Sequence, residues 1–347
     1  MSNAGPRAFT ADARAARAMS ALKAVWWGAH WWAARKVTGP PEAPDRRRPA
    51  SPPPPANLVR ARWTEAFTKD AADVAAGLYP LTEAAPSDPV APLRRAAEVI
   101  GEARVVDARR RRRGGVEVRD QADYSAYPVY YRQNFHYQTG GWFTPESARR
   151  YEAQVEMLFS GAAGAMRRRA LSLLARAWRD RDHRGLTVVD VACGSGAFLA
   201  DLRGAFPRAS ITGLDLSLAY LNEARGRSGA AVVQAAAERL PFADNSLDAL
   251  TCVYLFHELP PSVRPRVAAE MARVLKPDGV LAFADSVQKT DEPELARLLE
   301  AFPAFFHEPY YDSYQDEDLE GLFAAAGLRA EGRDKAFLTK ALLLRKD

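Results

Sequence analysis

From Leu186 onward the chain alternates between short apolar runs and longer stretches with helical periodicity. The apolar runs predict buried strands at 186–191, 210–215, 231–234, 248–254 and 279–285. The intervening stretches have the spacing of helices, at 196–205, 217–227, 261–275 and 292–301. Repeated strand–helix units predict a parallel sheet with helices on both faces.

The end of the chain extends the same unit. Residues 318–328 predict a further helix that ends at Gly327, and residues 329–345 predict two closing strands. Together with the five earlier strands, these make seven. We therefore expect an α/β domain over residues 161–347.

The N-terminal part of the chain has a different pattern, which predicts a mainly helical extension. Residues 10–36 read as one Ala- and Arg-rich helix within a first segment, 1–38. The stretch "GPPEAPDRRRPASPPPPA", 39–56, predicts a semi-rigid linker, with a ligand for a proline-binding partner as the weaker interpretation. An accessory region, 57–123, begins with a helix at 57–79. It then has two short strands around a turn at 113–115, a β-hairpin.

Four tryptophans lie near the end of the first predicted helix, in "KAVWWGAHWWAARK". They are Trp26, Trp27, Trp31 and Trp32, and basic residues flank them. Indole rings beside cations suit the interface between membrane and water. The same rings also suit packing on the protein's own surface or on a second subunit. The sequence leaves both interpretations open.

Composition indicates a globular chain with a large core. Of its 347 residues 48% are apolar, and no apolar run reaches the roughly 18 residues of a membrane-spanning helix. Cys193 and Cys252 are too few for a disulfide framework, and the N-terminus lacks a signal-peptide pattern. We expect a cytoplasmic protein, with peripheral attachment to a membrane as the alternative.

Basic charge is concentrated in the N-terminal third. Residues 1–120 contain 21 Lys or Arg and 13 Asp or Glu, and the other residues contain 27 and 30. A solvated arginine-rich surface explains this excess, and an acidic partner such as a membrane surface or RNA is the alternative. The five arginines at 109–113 fall on a predicted strand, whose alternate side chains point to opposite faces. Without stacking aromatics nearby, they argue against a nucleic-acid partner.

A glycine turn in "VVDVACGSG", 188–196, connects a buried strand to a helix. Gly194 and Gly196 permit tight backbone geometry and close ligand approach, and the helix N-terminus offers unpaired N–H groups. Asp190 stands beside this turn. Asp215 ends the next strand, where a carboxylate commonly binds both ribose hydroxyls. An amino acid joined to a nucleoside satisfies both sites, and S-adenosylmethionine (SAM) is such a ligand.

The glycine turn belongs to the first of four successive stretches in the chain, which are "VVDVACGSGAFL", "ITGLDLS", "AAAERLPFADNSLDALTCVYLFHEL" and "VLKPDGVLAFADS". They resemble the successive motifs of class I SAM-dependent methyltransferases, particularly the ubiquinone/menaquinone-biosynthesis group. The resemblance covers about residues 150–345. It implies SAM as cofactor and a Rossmann-like, doubly wound, mostly parallel seven-stranded sheet whose last strand is antiparallel.

The resemblance also implies roles for individual residues. Asp190 matches the acid that lies near the methionine amino group, and Asp215 matches the ribose-binding acid. The backbone at Val253 and Tyr254 matches the family's backbone contact with the same amino group. The SAM-binding turn comprises Ala192, Gly194, Ser195 and Gly196, and the adenine pocket comprises Leu216, Ala237 and Glu238. The family often has Asp where this chain has Ala236. A backbone carbonyl or Glu238 is therefore left to contact the adenine amino group.

Two histidines are candidate catalytic residues. His257, in "LFHEL", follows the fourth strand and so lies at the carboxyl edge of the predicted sheet. It is either a general base oriented by Glu258 or a residue that only supports the loop. His307, in "FFHEPYYDSY", is the second candidate. The sequence predicts no metal site.

An aromatic segment, 124–160, precedes the predicted domain. We interpret it as a lid over cofactor and acceptor, because aromatic faces attract a sulfonium cation and exclude water. The residues expected to face the ligands are Tyr131, Phe135, His136 and Trp142. The alternative is that these rings only seal the N-terminal region onto the core.

The sequence therefore predicts a SAM-dependent methyltransferase. Methyl transfer by in-line SN2 displacement needs alignment above all, and the aromatic density favours a small, apolar or aromatic, even lipophilic acceptor methylated at oxygen or carbon. The alternative is a non-catalytic module that binds SAM or its demethylated product, S-adenosylhomocysteine (SAH). Its basic N-terminal third would then recruit a membrane or RNA.

Overall fold

The computed structural model describes residues 13–38, 49–80 and 91–347. The helices of this part are α1 Ala13–Thr38, α2 Ala56–Ala75, α3 Ala91–Arg112, α4 Pro145–Leu158, α5 Ala163–Ala177, α6 Ala197–Ala205, α7 Leu218–Ser228, α8 Arg264–Val274, α9 Ala296–Phe305, α10 Tyr311–Gln315 and α11 Leu319–Ala325. The strands are β1 Thr187–Val191, β2 Ser210–Asp215, β3 Ala231–Gln234, β4 Leu247–Val253, β5 Leu275–Ser286, β6 Leu328–Ala336 and β7 Thr339–Lys346.

The seven strands form one sheet in the order β3-β2-β1-β4-β5-β7-β6. Neighbours from β3 to β5 pair in parallel, and β7 pairs antiparallel with both β5 and β6. The order reverses at β1, so the carboxyl ends of β1 and β4 flank a crevice where such sheets bind ligands. The predicted fold class is confirmed, including the antiparallel last strand.

Both faces of the sheet are covered by helices. Successive residues of a strand point to opposite faces, and Val188 and Val189 of β1 accordingly enter two different apolar clusters. The first cluster includes side chains of α2, α5, α6 and α7, and the second includes side chains of α8 and α11. Burial on both faces explains why the strands read as continuous apolar runs.

The N-terminal extension packs on the domain through buried ion pairs as well as apolar contacts. Asp70 of α2 accepts hydrogen bonds from Arg168 Nε at 2.7 Å and Nη2 at 2.6 Å, and from the Tyr79 hydroxyl at 3.0 Å. Arg169 lies 2.8 Å from Asp73. All of these groups are buried, so α2 and α5 are held in a fixed register.

The predicted β-hairpin around residues 113–115 is wrong, because residues 91–112 form helix α3. Its buried positions, such as Ala96, Val99 and Asp107, recur at helical rather than alternating spacing. The arginine run occupies the last turn, where cations favour the helix dipole. Within it, Arg110 and Arg111 pair with Asp107 one turn earlier.

The predicted linker lies only partly within the described residues. Residues 39–48 fall outside them, and residues 51–55 lead without helical structure into α2. Ser51 is tied to α9, since its hydroxyl donates to Glu300 at 2.7 Å and its backbone N–H at 3.0 Å. None of the described helices is long and apolar enough to cross a membrane.

Candidate functional site

The glycine turn lies between β1 and α6 and uses left-handed backbone. Ala192, Gly194 and Gly196 have φ values of 59°, 53° and 80°. A Cβ at position 196 would lie 2.6 Å from the Ala224 Cα, so glycine is required where α6 crosses α7. No atom lies within 4 Å of the corresponding position at Gly194, which faces the cavity above the turn. Space for a ligand is thus built into the backbone.

Asp190 contributes a buried carboxylate to this cavity. Oδ1 accepts a hydrogen bond from the Thr251 hydroxyl at 2.7 Å, and Oδ2 is buried with no hydrogen-bond partner. Burial raises the pKa of Asp190 to about 7, although the bond from Thr251 opposes the rise. A buried acceptor without a donor is costly, so this oxygen suits the ammonium group of a ligand.

Asp215 holds the turn and faces the same cavity. Its Oδ2 accepts the Gly194 backbone N–H at 2.9 Å, and its Oδ1 accepts the Ser217 N–H at 2.8 Å. Burial raises its pKa even so. A carboxylate has about four acceptor positions, and two remain for ribose hydroxyls.

The adenine end of the cavity carries a second unsatisfied carboxylate oxygen. Glu238 Oε1 accepts a hydrogen bond from the Tyr130 hydroxyl at 2.6 Å, and Oε2 is buried without a partner. Leu216 and Ala237 line the same region. Glu238 therefore has an oxygen available for the adenine amino group. Ala236 cannot bind that group, because its side chain has no acceptor.

Three of the predicted lid residues, Tyr131, Phe135 and Trp142, belong to an aromatic wall around the cavity. The other aromatic rings that line it are Tyr130, Tyr151, Phe198, Tyr220 and Tyr254. Trp142 packs edge-on against Tyr151 and Tyr220, with centroids 5.4 and 5.1 Å apart. Ser195 of the turn donates a hydrogen bond to Glu152 of α4 at 2.8 Å. The segment therefore contacts both the glycine turn and the cavity. Its action as a lid that opens and closes stays a prediction.

A second cavity adjoins the first. Its lining is largely apolar and comes from α4, α9 and the loops around them, with Val155, Leu158, Leu298, Leu299, Phe302 and Leu338 among its residues. Tyr151, Tyr254 and Glu258 line both cavities and mark their junction. His136, one of the predicted lid residues, lines this second cavity and not the first.

Comparison with known proteins agrees with this geometry. Residues 188–279, from β1 into β5, match the family described as "Methyltransferase domain". The chain carries a class I SAM-dependent methyltransferase domain. SAM is the cofactor of such domains, and the first cavity, with Asp190, the glycine turn and Asp215, is therefore called the SAM pocket.

Three curated relatives are similar to this chain over about a third of its length. The first is the fatty-acid O-methyltransferase of Mycolicibacterium smegmatis, 36% identical over 35% of this chain and 45% of the relative. The second is the ubiquinone/menaquinone biosynthesis C-methyltransferase UbiE of Desulfotalea psychrophila, 34% identical over 34% and 47%. The third is the phthiotriol/phenolphthiotriol dimycocerosates methyltransferase of Mycobacterium leprae, 38% identical over 29% and 38%. The chain spans less than half the length of each.

His257 stands at the carboxyl edge of β4 in this methyltransferase domain, and it lines the second cavity. Its Nδ1 lies 2.5 Å from Asp285 Oδ1, whereas Glu258, the predicted orienting partner, lies 3.8 Å from Nε2. Asp285 is fully buried and also accepts the Phe256 backbone N–H at 2.8 Å. Burial lowers the pKa of His257, but Asp285 outweighs this and the net shift is upward. Asp285 is therefore the orienting residue.

His307 is the predicted catalytic residue that the structure does not bring to either of these two cavities. Its Nε2 lies 3.0 Å from Gln133 Oε1, and its ring packs on Gly115. Its neighbour Glu308 is instead directed inward, within ion-pair distance of His136. Glu308, Asp285 and Tyr151 were not predicted as site residues from the sequence. A signal for Glu308 exists, because Phe-His-Glu occurs at both 256–258 and 306–308.

Proposed function

We propose that this protein transfers a methyl group from SAM to a small, lipophilic acceptor, at oxygen or carbon. One observation carries the proposal: the SAM pocket and the apolar second cavity, here called the acceptor cavity, share Tyr151, Tyr254 and Glu258 as lining residues. A polar cofactor and an apolar acceptor would meet at that junction. The printed names of the relatives, which mention fatty acids, quinones and dimycocerosates, agree with this acceptor class.

Alignment at the junction supplies most of the catalysis that this reaction needs. The sulfonium methyl is already electrophilic, and holding it about 3–3.5 Å from the acceptor atom is worth roughly 7–11 kcal/mol. The aromatic wall also excludes water from the transfer path. An open acceptor cavity beside His257 favours an enzyme over the alternative of a SAM-binding module without turnover.

His257 is the residue that we expect to remove the acceptor proton. Its ring is oriented by Asp285, and its Nε2 is the nitrogen left to face the acceptor cavity. A hydroxyl or activated carbon acceptor must lose a proton during methylation, and a positioned imidazole typically contributes 10²–10⁴-fold to such a step.

His257→Gln is expected to lower turnover at least about 100-fold and to leave SAM affinity unchanged. The measurement is transfer of labelled methyl from SAM to a cell lipid extract, followed by mass analysis of the product, with SAM binding measured in parallel. His183→Gln is the matched control, because that ring contacts Trp178 and Phe206 on the opposite side of the domain. Equal turnover of His257→Gln and wild type would exclude the base role. No labelled lipid from wild type would exclude the acceptor class.

Helix α1 offers a route for a lipophilic acceptor to arrive from a membrane surface. Trp27 packs into a cluster with Val99 and Met157, so it belongs to the fold, and Trp26 is half-buried. The side chain of Trp31 lies outside the described residues. Trp32 is 60% exposed and shares a helical face with Leu22 and Val25, which are 66% and 74% exposed. Lys36 lies over the Trp32 ring at 5.3 Å.

Vesicle binding tests this membrane contact. Wild type is expected to sediment with anionic vesicles, and Val25→Ser/Trp32→Ser is expected to remain in the supernatant, since the pair supplies exposed apolar area. Trp63→Phe, a change at a ring that packs against Phe67, is the control for a tryptophan outside α1. Equal sedimentation of the double variant and wild type would contradict the proposal.

A further inference from the structure

Three side chains from distant parts of the sequence meet beside the acceptor cavity, and Glu258 among them lines both cavities. His136 comes from the loop before α4, Glu258 from the turn after β4, and Glu308 from the loop between α9 and α10. One ligand atom from each of them lies within 4.8 Å of the other two. The fold therefore converges one imidazole and two carboxylates on one point beside the acceptor.

The carboxylates at this point are buried without hydrogen bonds of good geometry. The Glu308 side chain has no exposed surface, and both of its oxygens lack a hydrogen-bond partner. Glu258 Oε2 is in the same state. Glu308 Oε1 pairs with His136, and Glu258 Oε1 lies 3.8 Å from His257 Nε2. The Glu258 and Glu308 carboxyls also interact with each other. Buried carboxylates are normally paired or bind a metal, and the Oε2 atoms of Glu258 and Glu308, which lie outside both imidazole contacts, are available to a cation.

Two buried arginines in this part of the domain, Arg264 and Arg167, are engaged with other groups. Arg264 is fully buried but donates to the carbonyl oxygens of Phe256 and Tyr310 and pairs with Glu317 at 2.9 Å. Arg167 pairs with Glu152 at 2.8 Å. Neither arginine forms an ion pair or hydrogen bond with Glu258 or Glu308 in the described part of the chain. The charge of these two carboxyls is therefore balanced by the imidazoles, by a proton between the carboxyls or by a bound cation.

We propose that His136, Glu258 and Glu308 bind one first-row divalent metal ion. A mixed set of imidazole and carboxylate ligands suits zinc, manganese, iron or cobalt, whereas calcium and magnesium prefer oxygen ligands alone. Three protein ligands leave coordination positions free, as in catalytic metal sites.

The position of this site narrows the class of acceptor. Glu258 also lines the SAM pocket, so an oxygen of the acceptor bound to the ion would lie near the path of the methyl group. A bound metal ion favours the deprotonated form of an oxygen ligand. This step rests on the proposed function, and it specifies a lipophilic acceptor with a hydroxyl, enol or carboxyl oxygen.

Direct titration of the full chain tests the site without any acceptor. Protein treated with a chelator and dialysed is titrated with Co²⁺ and with Zn²⁺, followed by calorimetry and, for Co²⁺, by visible absorption. We expect one ion per chain. Glu308→Gln and His136→Gln are expected to bind at least about tenfold more weakly, since even indirect metal partners are worth that much.

The controls make the same two substitutions, His to Gln and Glu to Gln, at residues outside the proposed ligand set. His307→Gln and Glu317→Gln are expected to bind the ion like wild type, and thermal unfolding and SAM titration verify that every variant is folded. The proposal would be overturned if wild type bound no ion, or if Glu308→Gln and His136→Gln bound it as tightly as wild type. Ion binding by a protein that methylates no lipid would refute the proposed function alone, so the two failures are distinguishable.

Discussion

Replacing Asp190 by Asn is expected to stabilise the ligand-free protein above pH 7 and to weaken SAM binding roughly 10–100-fold. The binding loss follows because a hydrogen bond to a charged group is worth about 1.5–3 kcal/mol, and Asp190 Oδ2 is the unpartnered oxygen that faces the SAM pocket. Calorimetric titration with SAM measures this effect.

The stability gain follows from the pKa of the same carboxyl. Burial raises the pKa of Asp190 from 3.8 to about 7 in the folded protein. The folded state therefore binds more protons than the unfolded state between these values, and stability falls as pH rises through them. Above pH 7 the ionised carboxylate costs up to about 4 kcal/mol, which Asn removes. Melting temperatures should show a larger gain at pH 8 than at pH 5, because only part of this cost is present at pH 5.

Asp248→Asn is the matched control for this prediction. Asp248 lies near the start of β4, away from the SAM pocket, and its pKa is lowered because hydrogen bonds from Lys276 and Thr187 outweigh its burial. Its substitution should reduce the melting temperature and leave SAM affinity unchanged. A melting temperature of Asp190→Asn at or below that of wild type at pH 8 would contradict the assigned environment of Asp190.

Asp70→Ala is expected to cost about 3–5 kcal/mol of stability, because it removes the buried carboxylate that two buried arginines share. Arg168 donates two hydrogen bonds to Asp70, and Arg169 lies 3.7 Å away. For a chain of this size the melting temperature should fall by roughly 10 °C. Thermal unfolding followed by circular dichroism measures the change.

The pH dependence of this contribution has a definite sign. Burial alone would raise the pKa of Asp70, but Arg168 and Arg169 outweigh it and the pKa is lowered. The contribution is thus present above about pH 4 and is lost as pH falls through the folded-state pKa. Asp182→Ala is the control, because Asp182 pairs with Arg184 on the exposed surface, where an ion pair contributes little. Equal melting temperatures for Asp70→Ala and wild type would contradict the role of the buried pair.

Most of the sheet was predictable from the sequence because its strands are buried on both faces. The runs at 210–215 and 231–234 coincide with β2 and β3, and the others differ from the observed strands by a few residues. The segment 103–120 was not predictable in the same way, because two adjacent valines, Val105 and Val106, resemble a strand core. Helix propensity of the surrounding Ala, Glu and Arg outweighs them, and α3 forms instead.

The cofactor side of the site was also predictable, since Asp190, the glycine turn and Asp215 lie within 26 residues of one another. The acceptor side was not, because its residues come from loops far apart in sequence. Asp285 rather than Glu258 orients His257, since the end of β5 lies directly beside the end of β4. Glu308 contacts His136 although 172 positions separate them in the sequence. Only the packing of the whole fold brings the two side chains together.

Calorimetric titration of the purified full chain with SAM and with SAH tests the central claim most directly. We predict binding of one molecule of either compound per chain, mutual competition between them and a rise in melting temperature on binding. A folded protein that releases no heat with either compound, and whose melting temperature neither compound changes, would contradict the assignment of the SAM pocket.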